Sequence, residues 1–291
     1  MVQNNLEKPK RATSTVGHTD HNNDWRSYMR MPNMPGLDEI ATDRPGDGVS
    51  PQAMLASAFV LAKIGDPTGA REQLRHMTSA TDETDPAVGT HAADLLLVDA
   101  HVRVYEDRAL TEEHSARLKR LLSTLPASDQ VGQALTFNHL STAALHRGEF
   151  DRAQDHAENA IRLYLLGGAQ FGSLHMHTHL GQIRMMRGDL TGAIAQYDQM
   201  ERSLDQLDGD PQGLRAICKA LKSEVYYEMN KMGDAQSLLT DALTTIEQTD
   251  AWLDVLAATY RVRARLAFVQ AGLPGALSEL AHADAAARDR Q

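Results

Sequence analysis

Three histidines stand at alternate positions in the stretch SLHMHTHLG: His175, His177 and His179. Imidazole binds metals and carries protons near neutral pH, so such a triplet first raises metal chemistry. On a helix, residues two apart point about 200° away from each other, whereas residues four apart share a face. Only His175 and His179 can act together, and a third ligand has to come from a neighbouring helix. His139 and His146, in the stretch before, are the candidates for it. One reading is therefore a metal-dependent enzyme built on His175 and His179. The plainer reading has the histidines lining a groove or packing between helices, with no metal and no other cofactor.

Further catalytic signals are sparse. Glu224 and Glu228 in SEVYYE are four apart, a spacing that can pair a general acid with a general base. The same spacing is ordinary on a solvated helix face. The one cysteine, Cys218, sits in the helical run RAICKALKSEVYYE and reads as a small buried residue. No intrachain disulfide can form. No nucleophile elbow, no glycine-rich dinucleotide turn and no G-x-x-x-x-G-K-[ST] phosphate loop occurs. The expectation is a protein that is not an enzyme.

Charge excludes another class. The net charge is −10, and the one tight basic cluster is Lys8-Pro9-Lys10-Arg11. Duplex binding draws on clustered basic residues, so no direct nucleic-acid partner is expected. No apolar run reaches the ~18 residues of a membrane span, and the first residues have no apolar signal core. The cytoplasm is the expected compartment.

The elements that must position these side chains are helices. Hydrophobic residues make up 42% of the 291, aromatics only 5%, and alanine and leucine dominate the apolar set. That mixture suits packed helices better than sheets. Residues 1–48 are polar and broken by Pro32, Pro35 and Pro45, which predicts a flexible leader in which Trp25 and the methionines at 29, 31 and 34 are loosely held. Residues 49–291 carry helical periodicity. It predicts helices over 51–64, 68–79, 86–105, 111–123, 129–146, 150–166, 170–187, 190–206, 211–231, 234–248, 251–271 and 274–288, with start signals at Ser128-Asp129, Asp210-Pro211 and Asp250.

The chain also repeats itself. HRGEFDRAQDHAENAIRLY and MRGDLTGAIAQYDQMERSL share a basic residue, a glycine, an acid, an apolar residue and an alanine-bearing helix. The alanines after these turns, Ala153, Ala193, Ala235 and Ala276, lie 40, 42 and 41 residues apart, and Ala70 in KIGDPTGAREQL lies two periods upstream of Ala153. The unit between, around YEDRALTEEHSARLKRLL, has no glycine. Glycine ends one helix, the acid favours the next helix N-terminus, and alanine permits close crossing. Such hairpins bury their apolar faces only by stacking, which predicts an all-α superhelical solenoid of about six helix-turn-helix repeats.

HLGQIRMMRGDLTGAIAQY places Leu180-Gly181, Ala193 and Tyr197 at tetratricopeptide spacing, and the unit before it carries Leu140-Ser141, Ala153, Ala157 and Ala160. The chain thus resembles tetratricopeptide (TPR) proteins, although its period near 41 exceeds their usual 34. In TPR stacks the first helix of each pair lines the concave face. That resemblance implies a groove bearing Asn138, Thr142, His175, Gln182, Glu224, Tyr227, Arg261 and Arg265, a polar set suited to a small polar effector, a peptide or a protein partner. Arg261 and Arg265, four apart, would face an anionic partner together. Trp252 reads as an anchor between repeats.

A closer resemblance covers most of residues 50–290. GEFDRAQDHAENAIRLYLLGGAQFGSLHMHTHLGQIRMMRGDLTGAIAQY, LKSEVYYEMNKMGDAQSLLTDALTTIE and TDAWLDVLAATYRVRARLAF are similar to the helical-repeat sensor region of LuxR-family, MalT-like transcriptional regulators. In that family the region lies between an ATP-binding module and a helix-turn-helix, and it receives an inducer or a regulatory protein. The resemblance implies a sensing or protein-interaction module without its own ATPase or DNA-binding parts. The alternative is a free-standing scaffold that binds another protein and titrates a full-length regulator.

Overall fold

The computed structural model describes residues 24–30, 49–79, 86–106, 108–207, 211–249 and 253–288. Among these the regular structure is all helix. In chain order the helices are α1 (Trp25–Tyr28), α2 (Pro51–Ile64), α3 (Pro67–Ser79), α4 (Pro86–Tyr105), α5 (Glu112–Leu122) and α6 (Gln130–His146). They continue with α7 (Phe150–Leu166), α8 (Gln170–Met186), α9 (Leu190–Leu204), α10 (Gln212–Glu228), α11 (Met232–Thr249) and α12 (Leu253–Arg288). α12 breaks at Gly272, where φ is 66° and Pro274 follows. Its arms fold back on each other: Arg263 forms an ion pair with Glu279 at 2.7 Å, and Gly275 lies against the Ala267 carbonyl. α2 to α12 thus make six antiparallel pairs, the TPR-like superhelix expected.

The repeated turn has one backbone design. Gly65, Gly148, Gly168, Gly188 and Asn230 all take positive φ, between 60° and 92°. The next residue's N–H then donates to the carbonyl five positions back, as in Asp66 to Leu61, Glu149 to Ala144, Asp189 to Arg184 and Lys231 to Tyr226. This closes the orphan carbonyls of the finished helix. Asp66 and Asp189 then cap the next helix, accepting from Gly69 N at 2.8 Å and Gly192 N at 2.9 Å. In the fifth pair the left-handed residue is Asn230, five before Ala235, and not the Gly233 beside that alanine. Asparagine tolerates this conformation better than other side chains.

Small residues set the crossings. Ala70, Ala153, Ala193 and Ala235 are fully buried. Twelve positions before each of them stands another small buried residue: Ala58, Ser141, Gly181 and Ser223. Ser141 Oγ donates to the Ala153 carbonyl at 2.9 Å across the pair. A Cβ on Gly181 would fall 2.4 Å from the Tyr197 ring. The second pair lacks this pattern, and α5 packs more closely on α6 than on α4.

First helices touch first helices in sequence, α2 to α4, α6, α8, α10 and α12, so they form one continuous wall. The coil is tight. Lys63 of the first pair stacks its ammonium over Phe171 of the fourth at 4.4 Å. His146 of the third reaches Asp254 of the sixth at 3.1 Å.

The expectation of a loosely held leader does not hold for residues 24–30. α1 is too short to persist alone, yet Trp25, Tyr28 and Met29 are buried, and Trp25 meets Phe59 of α2 with ring centroids 5.7 Å apart. The rest of 1–48, with Lys8–Arg11, Met31 and Met34, lies outside the described residues, as do Trp252 and the cap candidates Asp210 and Asp250.

Candidate functional site

The first-helix wall carries a buried polar cavity of about 30 Å³, lined by His101, Val104 and Tyr105 of α4, Asn138, His139 and Thr142 of α6, and His175 and His179 of α8. Three successive first helices supply it because the wall sets them side by side. His139 and His179 occupy the same repeat position, fourteen before Ala153 and Ala193. His101 stacks on Phe59 with centroids 4.0 Å apart, and the ring of His139 stands 6.1 Å beyond. His175 and His179 face each other at 5.8 Å.

Burial dominates the electrostatics. It pushes His139 down to about 4, partly offset by the hydrogen bond to the Leu97 carbonyl, and His179 to about 4. His101 and His175 are also depressed well below 6.5, chiefly by burial, with the other imidazoles and Lys63 adding to it. At neutral pH all four rings are uncharged. His101 Nε2 and His139 Nε2 are buried with no hydrogen-bond partner. Both nitrogens are closed off from water, and the cavity beside them has room for one or two water-sized groups.

Of the residues expected in a groove, Asn138, Thr142 and His175 meet on this cavity. Thr142 is buried, its hydroxyl donating to the Asn138 carbonyl at 3.2 Å. Gln182 is half-buried on α8, outside the cavity lining. The other four form a separate polar cross-link between α10 and α12. Arg261 donates through Nε to Glu224 at 2.8 Å, and Arg265 donates to Glu228 at 2.7 Å while lying 5.4 Å over the Tyr227 ring. Both guanidinium groups that were expected to face an anionic partner thus already hold carboxylates of the preceding pair. Glu224 itself is 4% exposed, and burial raises its pKa against the pull of Arg261.

The catalytic readings gain no geometry. Among the described residues no three His, Cys, Asp or Glu side chains are placed to hold a metal ion. Glu224 and Glu228 are held by arginines, and Cys218 is buried with its thiol pushed up by burial. No described helix is long and apolar enough to cross a membrane. Two wider hollows, about 610 Å³ beside Glu72, Arg75, His76 and Thr78 and about 450 Å³ between α11 and α12, are shallow and open to solvent.

Sequence reasoning passed over His101, whose unit lacks the turn glycine and so fell out of alignment. It named His139 only as a metal ligand, although its shared register with His179 was readable. It read Trp25 as loosely held, since nothing local marks a docked segment.

No curated protein matches the chain significantly. A family model does, that of the MalT-like TPR region, over residues 94–291. The match takes in the cavity, the four pairs from α6 onward and most of the pair before them, and the α2–α3 pair extends the same stack upstream of it. Paired helices at tetratricopeptide spacing, their first members forming one wall with polar groups on it, agree with that match, and the chain belongs to the MalT-like TPR family.

Proposed function

We propose that this chain is a non-enzymatic effector-sensing or protein-interaction module of a LuxR/MalT-type transcriptional regulator. The observation that carries the reading is the convergence of Asn138, Thr142 and His175 with three further imidazoles on the first-helix wall of a MalT-like TPR stack. Amide, hydroxyl and neutral imidazole side chains lining one cavity are groups that a polar effector can engage. The cavity at about 30 Å³ is too small for a sugar-sized or peptide ligand. Such a ligand enters only if the first helices that line the cavity move apart.

Thermal-shift screening of the whole chain against small polar metabolites tests this. An effector at one hundred times its Kd stabilises by about 2.7 kcal/mol. The shift should vanish in His175→Ala and Asn138→Ala chains that retain parental helicity. A panel of sugars, amino acids, nucleotides and organic acids with no responder removes the small-effector reading.

A second reading, a free-standing scaffold that binds another protein, is favoured by one specific observation: a short segment of the chain already sits against the stack as a bound peptide would. Purified chain used as bait for a full-length regulator separates the two readings. A module needs its output domains attached, and a scaffold captures them from a second polypeptide.

A further inference from the structure

Residues 24–30 touch four of the six pairs. Trp25 packs on Phe59 of α2. Arg26 lies 4.5 Å over the Trp25 ring and reaches both Asp94 of α4, at 2.7 Å, and Asp129 at the start of α6, where it donates two bonds of 2.6 and 2.8 Å. Arg30 donates to the Gly167 carbonyl at 3.1 Å, in the turn before α8. The Met29 methyl lies where Gly172 of α8 has no side chain; an added Cβ there would come within 3.2 Å of it.

This is peptide recognition written within one chain. Aromatic and arginine anchors in desolvated seats dominate protein interfaces, and a two-pronged guanidinium–carboxylate bond adds direction. The segment lies outside the 41-residue repeat and joins α2 only through residues 31–48. Removing it leaves two carboxylates, Asp94 and Asp129, close enough to share one guanidinium nitrogen, beside an apolar hole under Phe59. Like charges held together in a partly desolvated site favour any incoming cation. A vacated seat is therefore a strong acceptor for an aromatic side chain followed directly by arginine.

We propose that this seat is a binding site for a linear segment of another protein carrying Trp-Arg chemistry, and that residues 24–30 occupy it in cis and compete with that partner. The proposal names the partner class for the protein-interaction reading above and rests on it. A short flexible linker holds a tethered segment at roughly millimolar effective concentration. If the segment binds its seat with a Kd of about 10 μM, partner affinity is lowered about 100-fold, in line with the fraction of open seats.

The probe is a fluorescein-labelled, acetylated and amidated peptide of residues 24–30, titrated by anisotropy into the whole chain and into Trp25→Ala with Arg26→Ala, which vacates the seat. The vacated chain should bind at least ten-fold more tightly than the parent. Adding Asp94→Asn and Asp129→Asn to it should weaken binding at least ten-fold; asparagine keeps the α6 cap. Should the double variant lose helicity, Arg26→Ala alone replaces it with the same expected order. A folded, vacated chain that ignores the peptide, or one that binds a scrambled peptide equally, overturns the site. That result leaves the thermal-shift test of the cavity untouched, so the two readings fail separately. A parent chain that dimerises and is dissociated by the peptide would make a second copy the occupant, and would also overturn the proposal.

Discussion

Gly181 offers a sharp test of the repeat register. A Cβ placed there would lie 2.4, 2.5 and 2.7 Å from Tyr197 Cζ, Cε1 and the hydroxyl. Tyr197 is fully buried, so the ring has no solvent to retreat into. Overpacking of this kind costs about 1–3 kcal/mol. Gly233 is the matched control: it is also helical, and a Cβ there meets nothing within 4 Å. Glycine-to-alanine in an open helical site gains up to about 1 kcal/mol. One chemical change should thus give opposite signs, Gly181→Ala destabilising by about 1–3 kcal/mol and Gly233→Ala neutral to stabilising. At roughly 2–4 °C per kcal/mol for a domain of this size, the first should lower Tm by about 2–12 °C. Circular dichroism at 222 nm, with urea titration alongside, reads both. Tyr197→Leu makes room for the new methyl, so Gly181→Ala with Tyr197→Leu should be less destabilised than the sum of the singles. If Gly181→Ala melts at or above the parent, or the double is additive, the helices do not cross where the repeat places them.

Arg261→Ala should destabilise by about 1–3 kcal/mol, because it strands the buried Glu224 carboxylate, whereas Arg265→Ala, whose partner Glu228 is exposed, should cost at most about 1 kcal/mol; equal effects in urea unfolding would show that burial does not separate the two pairs. His139 and His179 titrate near 4 when folded and near 6.5 when unfolded, so the unfolded chain binds more protons between these values. Stability is then complete above pH 6.5 and falls towards pH 4 by up to about 1.4 kcal/mol per pH unit per ring, which His139→Gln should lessen; urea midpoints that do not move over this window would refute neutral burial. Cys218 should resist alkylation in the native chain and react once urea unfolds it, since its thiol is buried and bonded to the Tyr197 carbonyl; rapid native labelling would place it at the surface.

The local features were legible because local physics made them. Helices from 51 to 249 appear within a few residues of their expected ends, since proline, glycine and capping acids mark them. Asn230 was missed because the nearby Gly233 drew the alignment, although the left-handed position lies five before the alanine. The site was less legible because it depends on how tightly the coil winds. A wall of first helices read from TPR geometry suggests an open groove, yet contacts between the first and fourth pairs and the third and sixth leave a cavity of about 30 Å³. Arg261 and Arg265 looked like a free anion clamp because their partners lie 37 residues away. Residues 24–30 looked loose because their seat is assembled from residues 34 to 143 positions distant in sequence, from Trp25–Phe59 to Met29–Gly172.

Stacked repeats ordinarily have a short mechanical memory, each pair feeling only its neighbours. Residues 24–30 change that for one half of the molecule. By touching α2, α4, α6 and the start of α8 at once, they act as a lashing laid across four rungs of a ladder. The lashed rungs must bend, twist and unravel together, while those of α10 to α12 lie beyond the lashing and meet the first half only through neighbour packing and the His146–Asp254 contact. Slack in the lashing would therefore be felt along the whole first half at once, as a change in stiffness and cooperativity, before any helix had moved far from its place.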